Sequence, residues 1–481
     1  MSDRVVFRVE EVRAGLVEAQ AHLLARLELD VADMAHGEDA ELAAVDVEHH
    51  VGAQILADLD RAGAMALPRR HHRDVLGPGA EPDRRAAGAS TCERALAVAR
   101  QAEAIAVSAA RHHVHLRAAD ELGDEQVGRA LVQLARRAHL LDLPGLRVIN
   151  ISADVRHRIL NYGVVFAPRA GHHSNIAERV ALFLRDKGLT RMVVVEQKCA
   201  EEIPLYVNGR RHREDFEGQV DQYTAVLKYL KKKTGRPPHL IAICQPGPLL
   251  MATLILNPGL AKTFGSAGSP MHTEAESGIL TDFARTVGEA YIDRLLTLFG
   301  LRIEDNCPGA GRTAYDGRLQ VLGFYLMGFD LHYRNLKNLL IDLKTGNHRG
   351  AERQKAFYQW YNSVQHFPAG FIRDTFKKIF IHNDLVRGTL QIGKRQIGIA
   401  DFPGTVPIWA LGGTQDTIAP PLQATGHMEM ITSVPPQRKL TLMCDGGHMG
   451  LFRSRKILEN DYTKIAAFLL AHSDRASFRA A

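Results

Sequence analysis

Three side chains of this sequence could together carry out nucleophilic catalysis: Cys244, Asp416 and His448. Each directly follows a short apolar run of the kind that forms a buried strand. An imidazole can take the proton of a thiol, which leaves the reactive thiolate. A carboxylate can hold the imidazole in the required tautomer and stabilise its charged form. The three residue types therefore predict attack on an acyl group, without a metal or another cofactor.

Cys244 precedes Gln245 and Pro246, where a sharp turn from strand to helix would expose the thiol. The backbone N–H of Gln245 would then face the same space and help to form an oxyanion hole. A second donor is expected from the loop at Gly171. The usual turn has the form Gly-x-nucleophile-x-Gly, and here Ala242 and Pro246 stand at the glycine positions. A buried core thiol is the competing interpretation of Cys244.

Asp416 and His448 also have ordinary alternatives, since an aspartate can cap a turn and a histidine can occupy one. His448 lies between glycines, in Gly446–Gly450, which would let its loop approach the thiol. Ser266 and Ser269 lie in a predicted glycine-rich turn and are weaker candidates for a nucleophile.

Apolar runs and amphipathic segments alternate from Tyr162 onward. The predicted strands are Tyr162–Pro168, Arg191–Val195, His239–Cys244, Pro407–Gly412 and Lys439–Met443, and the predicted helices are Ile176–Lys187, Phe216–Lys232, Leu249–Leu256 and Ile457–Leu470. This alternation predicts an α/β protein with a mostly parallel sheet between two layers of helices. Reactive groups of such sheets lie at the carboxyl ends of strands. The chain order nucleophile, acid, base is that of the α/β-hydrolase fold.

The segment between the predicted nucleophile and the predicted acid is far longer than one strand–helix unit. We therefore expect a helical cap, residues 271–401, inserted into a hydrolase core formed by residues 151–270 and 402–475.

Residues 1–150 have an unusual composition, with no Lys, Tyr or Trp and with Phe7 as the only Phe. One interpretation is an Ala-rich segment that is loosely helical or poorly ordered. The favoured interpretation is that this stretch is not a true domain but a translated wrong frame upstream of a mis-assigned start. Histidine pairs such as His49–His50 reflect the same bias, because they lack partners at metal-ligand spacing.

Composition excludes several classes of function. The chain has 481 residues, 46% of them hydrophobic, and a net charge of only +6, which does not indicate a nucleic-acid partner. Five scattered cysteines without a CxxC pair argue against a disulfide framework or a structural zinc site. No apolar run reaches the ~20 residues of a membrane span, and Met1–Arg13 lacks the core of a secretion signal. A cytoplasmic protein is predicted.

Several spaced segments carry a family resemblance. They are Ala167–His173, Glu201–Leu205, Ala242–Pro246, Pro308–Arg312, Phe357–Asn362 and Gly447–Phe452. Over about residues 160–470 the sequence resembles the intracellular poly(3-hydroxybutyrate), or polyhydroxyalkanoate, depolymerases. The resemblance implies a carboxylic ester hydrolase that cleaves the polyester through Cys244, His448 and Asp416. It implies the polymer or its granule surface as partner, a cytoplasmic or granule-associated location, and leaves homo-oligomerisation open.

Two other functions compete with this one. A polyhydroxyalkanoate synthase-like acyltransferase can use the same three groups, although synthases resemble Gly-x-Cys-x-Gly-Gly boxes and Ala242 and Pro246 disfavour that. Consumption of hydroxyacyl-CoA would favour the acyltransferase. A non-catalytic granule-associated protein on the same scaffold would leave Cys244 unlabelled by thiol-reactive acyl probes.

Overall fold

The computed structural model describes residues 138–169, 175–327, 329–362 and 365–476. Its central element is an eight-stranded sheet. The strands are β1 (Ala138–Asp142), β2 (Leu146–Asn150), β3 (Gly163–Phe166), β4 (Met192–Gln197), β5 (His239–Ile243), β6 (Thr263–Ala267), β7 (Ile408–Gly413) and β8 (Lys439–Cys444).

The order of the strands across the sheet is β1-β2-β4-β3-β5-β6-β7-β8. Strands β3 to β8 pair in parallel, whereas β2 is antiparallel to both β1 and β4. Parallel strands need crossover helices, and these cover both faces of the sheet. This strand order, with one antiparallel strand near the edge, is that of an α/β-hydrolase, so the predicted fold class is confirmed.

Alternate residues of each strand supply two separate cores. In β3, Val164 and Phe166 belong to the core on one face, and Val165 belongs to the core on the other. In β7, Ala410 and Trp409 divide in the same way. Successive side chains of a strand point to opposite faces, so a strand buried on both sides must be apolar throughout. This explains the continuous apolar runs of the sequence.

Helices α1 to α3 follow β3, β4 and β5, and the last helices follow β7 and β8. The helices of the core are α1 (Asn175–Asp186), α2 (Phe216–Thr234), α3 (Pro246–Leu256), α11 (Pro421–Thr425), α12 (His427–Met430), α13 (Gly450–Arg453), α14 (Arg455–Ile457) and α15 (Thr463–Ala471). Helix α3 begins three residues before the predicted start, because Pro246 suits a first helical position. The predicted closing helix is interrupted by a π-helical stretch, Leu458–Tyr462.

Helices also dominate the region between β6 and β7, where a cap was predicted. They are α4 (Ile279–Val287), α5 (Glu289–Phe299), α6 (Gly317–Met327), α7 (Phe329–Lys344), α8 (His348–Tyr361), α9 (Ala369–Asp374) and α10 (Asp384–Arg387). A π-helical stretch, Thr375–Ile381, continues α9. Short strands Leu301–Arg302, Thr313–Tyr315 and Phe367–Pro368 form a small antiparallel sheet.

The structure differs from the sequence prediction at two places in the sheet. Strands β1 and β2 lie before residue 151, where the hydrolase core was predicted to begin, so the sheet extends into the compositionally unusual region. The remaining part of that region, residues 1–137, is outside the described residues. Ser266 lies in strand β6 and not in a turn. The preceding residue of this strand must be a glycine, because a Cβ at Gly265 would lie 1.7 Å from the ring of Trp409.

Among the described residues, no helix is both long and apolar enough to cross a bilayer.

Gly265 gives a test of this packing. We expect Gly265→Ala to lower the free energy of unfolding by about 1–3 kcal/mol, because the new methyl group must displace the buried ring of Trp409. Gly323→Ala is the matched control: Gly323 lies within helix α6 with nothing within 4 Å of the added methyl group. It should stabilise the chain by up to about 1 kcal/mol. Urea unfolding followed by tryptophan fluorescence measures both, and equal effects of the two substitutions would contradict the packing described.

Candidate active site

Cys244 occupies a strained turn between β5 and α3. Its φ is +60°, a backbone conformation that residues other than glycine rarely adopt. Neighbouring backbone holds the turn: the Cys244 N–H donates to the Ala267 carbonyl at 2.9 Å, and the Gly247 N–H donates to the Cys244 carbonyl at 3.2 Å. Non-glycine residues in this conformation cost about 1–3 kcal/mol and persist where the surroundings fix them, most often at functional sites.

A glycine near the turn is present, one position later than the usual pattern places it. A Cβ at Gly247 would lie 2.6 Å from the Cβ of Ser269. Helix α3 can therefore begin against Ser269 only because residue 247 has no side chain. Pro246, the preceding residue, has the fixed φ that suits the first turn of a helix.

Asp416 and His448 lie in direct contact. The Nδ1 atom of His448 is 2.7 Å from Oδ2 of Asp416, whose side chain is fully buried. The other carboxylate oxygen, Oδ1, accepts from the N–H groups of Ile418 at 2.9 Å and Ala419 at 3.0 Å. Both oxygens therefore have partners. Asp416 fixes the tautomer of His448 with a proton on Nδ1, which leaves Nε2 for a second partner.

Two glycines allow the loops that carry these residues to touch. A Cβ at Gly413 would lie 2.3 Å from the carbonyl oxygen of Gly446. That oxygen accepts from the N–H of Gln415 at 3.2 Å, and the N–H of Thr414 donates to the Cys444 carbonyl at 2.9 Å. The acid loop and the histidine loop are thus bonded backbone to backbone, which brings the carboxylate to the imidazole.

The second partner of His448 is the Cys244 thiol. Burial disfavours the charged imidazole, but the charges of Cys244 and Asp416 and its hydrogen bonds to both outweigh this effect and raise the pKa of His448 to about 10. A protonated imidazole between a sulfur and a carboxylate can stabilise negative charge that develops on the sulfur. The structure therefore brings together the three side chains singled out in the sequence.

Gln245 lies at the N-terminal end of helix α3, where backbone N–H groups have no acceptor within the helix. Within the described part of the chain no acceptor bonds its backbone N–H. The Gln245 side chain is held in place, because its Oε1 accepts from the N–H of Arg169 at 2.9 Å. The predicted second donor, at Gly171, lies outside the described residues.

The remaining candidates are placed differently. Ser266 and Ser269 are fully buried, and their hydroxyl groups have no hydrogen-bond partner in the described region. Cys199, Cys307 and Cys444 form no disulfide within the described residues. Burial and the nearby Glu201 raise the pKa of Cys199, which keeps it protonated. The described residues contain no group of three His, Cys, Asp or Glu side chains arranged to hold a metal ion.

Gly268, which the sequence analysis did not single out, makes room for Leu451, three residues after His448. Its φ is +54°, and an added Cβ would lie 2.8 Å from Leu451 and 3.4 Å from Cε1 of His448. It directly follows Ala267, whose carbonyl holds the Cys244 turn. The glycine-rich segment Gly265–Ser269 was the only indication of it in the sequence.

The cap reaches the histidine loop through Arg453, the last residue of helix α13. Its guanidinium lies over the rings of Phe357, at 4.6 Å, and Trp360, at 5.6 Å, both in cap helix α8. Cation–π contacts of this kind stabilise by about 0.5–2 kcal/mol. The aromatic face of the cap is therefore fixed five residues after His448.

The chain is similar to known proteins in sequence and in fold. Residues 268–473 match the family model described as PHB de-polymerase C-terminus. Similar solved structures include the monoacylglycerol lipase of Paleococcus ferrophilus, 14% identical, with a TM-score of 0.41 over 68% of this chain and 99% of that chain. A soluble variant of monoglyceride lipase from Saccharomyces cerevisiae is 11% identical, with a TM-score of 0.43 over 69% of this chain and 94% of that chain. No curated protein matches the chain.

The sheet order and the strand-end site define an α/β-hydrolase. Residues 268–473 match the family model, so this region is PHB-depolymerase-like, and the chain is an α/β-hydrolase of the carboxylic ester hydrolase class.

The coupling between Cys244 and His448 can be tested by alkylation with iodoacetamide, which reacts with thiolates. We expect His448→Gln to slow the labelling of Cys244 at pH 6 by about tenfold or more, because an ordinary thiol is almost fully protonated there. The raised pKa of His448 makes its charge present at low and neutral pH and lost as the pH rises through about 10. The two rates should therefore converge above pH 10.

Cys199 is the internal control for this experiment, because its raised pKa should keep it slow in both proteins. Peptide mass spectrometry reports both thiols at once. Equal labelling of Cys244 in the two proteins at pH 6 would disprove the coupling.

A second test concerns Gly268. We expect Gly268→Ala to lower kcat/KM for p-nitrophenyl butyrate by about tenfold to a hundredfold, because the methyl group would push Leu451 and with it the loop that holds His448. Gly259→Ala is the matched control, since Gly259 also has a positive φ, +82°, but nothing within 4 Å of the added methyl group. Similar losses in both variants would mean that backbone strain, and not the position of His448, limits the rate.

Proposed function

We propose that this protein hydrolyses the ester bonds of a polyhydroxyalkanoate, such as poly(3-hydroxybutyrate), with Cys244 as nucleophile, His448 as general base and acid, and Asp416 as the group that orients it. The observation that carries the proposal is the convergence of the three side chains at the carboxyl edge of the sheet. The family match over residues 268–473 supports the polyester as substrate.

In the acylation step, the Cys244 thiolate attacks the carbonyl carbon of an ester in the polymer. A tetrahedral oxyanion forms, and the backbone N–H of Gln245 donates a hydrogen bond to it. When the intermediate collapses, the carbon–oxygen bond to the leaving hydroxyacyl unit breaks. His448 gives its Nε2 proton to that oxygen, so the leaving unit departs as an alcohol and the acyl group stays on sulfur.

In the deacylation step, His448 acts in the reverse direction. Its neutral Nε2 takes a proton from water, and the hydroxide attacks the thioester carbonyl. The carbon–sulfur bond breaks, the hydroxyalkanoate leaves as an acid, and Cys244 returns to the thiolate beside protonated His448. Asp416 keeps Nδ1 protonated throughout, because its carboxylate accepts a hydrogen bond from that atom at 2.7 Å.

The aromatic face of the cap supports an apolar polyester as substrate. Tyr325, Tyr358 and Tyr361 lie with ring centroids 5.2 to 6.3 Å apart. The cation–π contact of Arg453 holds this cluster near the histidine loop. Aromatic rings give an alkyl ester chain a large apolar contact surface with little loss of side-chain freedom. The proposed partner is the polymer or its granule surface, and the resemblance to intracellular depolymerases supports a cytoplasmic or granule-associated location.

The experiment is release of hydroxy acid from amorphous poly(3-hydroxybutyrate) by the full chain and by Cys244→Ala. We expect the variant to lose activity by about a thousandfold or more, because removal of a nucleophile leaves only binding and the oxyanion hole. Cys199→Ala, which removes a protonated thiol elsewhere, should retain full activity. Mass spectrometry of the wild-type protein after a short reaction should detect a chain of hydroxybutyrate units attached to the peptide of Cys244.

Other results would replace the proposal. Full activity in Cys244→Ala would exclude this nucleophile. Growth of polymer from hydroxyacyl-CoA would favour the synthase-like acyltransferase. Binding to polymer without hydrolysis, and without labelling of Cys244, would favour a non-catalytic granule-associated protein.

A further inference from the structure

A buried guanidinium group lies next to the nucleophile turn. Arg169 follows strand β3, and its backbone N–H bonds the side chain of Gln245. Its own side chain is fully buried, with the guanidinium over the ring of Phe371 at 5.0 Å. The two Nη atoms approach Oε2 of Glu214 at 3.4 and 3.5 Å, and Nε has no partner among the described residues. The ion pair is therefore long, and the described residues leave part of the guanidinium unbonded.

Glu214 is already well supplied with donors. Its carboxylate accepts from His212 at 2.7 Å, from Gln219 at 2.5 Å and from Gln222 at 2.8 Å. Burial would raise the pKa of Glu214, but the hydrogen bond from His212 and the charge of Arg169 outweigh it and lower that pKa. Glu214 thus contributes one negative charge, and it is the only carboxylate that pairs with Arg169 among the described residues.

A second guanidinium, that of Arg312, lies within electrostatic reach of both Arg169 and Glu214. Arg312 is 7% exposed, and its Nε is buried without a partner. In the described part of the chain, its side chain donates only to the Pro204 carbonyl, at 3.0 Å, and makes no ion pair. Two buried guanidinium charges therefore share one carboxylate.

The Arg312 loop lies at the same edge of the sheet as the nucleophile. The backbone N–H of Gly309 donates to the Glu201 carbonyl at 2.9 Å, in the short helix Ala200–Glu202 that follows strand β4. Strand β4 pairs with β3, and β3 pairs with the strand that leads to Cys244. Parallel neighbours end at one edge, so this loop lies at the same edge as the catalytic turn, with Arg169 following the strand between them.

Burying a charge without a counter-ion is costly, and the usual solution is an anion with hydrogen bonds to the guanidinium. Arginine fits a carboxylate best, because its planar donors match the two oxygens. We propose that Arg312, with Arg169 beside it, binds the free carboxylate of a hydroxyalkanoate, either at the end of the polymer chain or on the released hydroxy acid. This inference rests on the proposed function, since it places one end of the same substrate.

The alternative position for a carboxylate is unfavourable. The cavity of about 320 Å³ beside Asp416 is lined by Glu276 and Asp282 and by no basic side chain. An anionic chain end would be repelled there and attracted to the Arg312 side. The polymer would therefore be cleaved preferentially near its carboxyl end, at a distance from that end set by the separation of Arg312 and Cys244.

The test compares a hydroxybutyrate trimer as the free acid with its methyl ester, which carries no charge. We expect wild-type protein to prefer the acid, and Arg312→Gln to raise KM for the acid by about tenfold or more, as for loss of charged hydrogen bonds. KM for the methyl ester should change by less than about twofold, because the uncharged ester group loses no ion pair when Arg312 is replaced. Arg395→Gln is the matched control: Arg395 is exposed, is not among the charges that act on Arg312, and its substitution removes the same formal charge. It should leave both substrates unchanged.

A binding arm separates this site from the catalytic proposal. Titration calorimetry with 3-hydroxybutyrate should give measurable binding to the wild type and to Cys244→Ala. Arg312→Gln should bind 3-hydroxybutyrate at least about tenfold more weakly than the wild type. Arg312→Lys keeps the charge but not the planar donors, and it should fall between the two. If Arg312→Gln melts at a lower temperature, its loss of binding could come from lost stability, and the affinity of Arg312→Lys then becomes the measurement that tests the site.

Several outcomes would overturn the inference. Equal losses for the acid and the methyl ester would assign Arg312 a purely structural role. Unchanged binding of 3-hydroxybutyrate in Arg312→Gln and Arg312→Lys would remove the site. If hydroxybutyrate binds through Arg312 but neither trimer nor polymer is hydrolysed, the carboxylate site stands and the proposed ester hydrolysis fails.

Discussion

The hydrogen bond between Asp416 and His448 is the interaction on which the rest of the site depends. The two residues come from loops that follow β7 and β8, neighbouring strands at one edge of the sheet. Their approach needs the pair of glycines at 413 and 446, because any side chain at Gly413 would occupy the position of a backbone carbonyl. Once the loops touch, the carboxylate is buried and fully bonded, and only one nitrogen of the imidazole remains free for the sulfur.

This arrangement requires a strained backbone at the nucleophile. Cys244 is held in a left-handed conformation, and its neighbours supply what stabilises it: the Ala267 carbonyl, the start of helix α3, and Gly247 where the helix passes Ser269. Within the sheet, the ring of Trp409 packs against Gly265. A rigid core of this kind can keep a single residue strained, because relaxing it would break several contacts at once.

Much of the fold could be predicted from the sequence, because strands buried on both faces must be apolar at every position. Runs such as His239–Ile243 therefore mark the strands, and the residues that follow them mark the site. Strand β6 was missed because Gly265 and Ser266 are small for a reason that only the packing of Trp409 reveals. Strands β1 and β2 were missed because their composition resembles that of the preceding region. Gly268 and the pairing of Arg169 with Glu214 depend on contacts between distant segments, which spacing along one chain does not encode.

The two antiparallel strands at the start of the sheet have a practical consequence for shortened forms of the protein. Strand β2 pairs with β4 along its whole length, from Leu146 with Gln197 to Asn150 with Val193. A chain trimmed at the composition break would leave β4, Met192–Gln197, as an open edge whose first four residues are apolar. Such edges recruit strands from other molecules and lead to aggregation. Trimmed forms should therefore keep Ala138, so that the sheet ends where its own hairpin protects it.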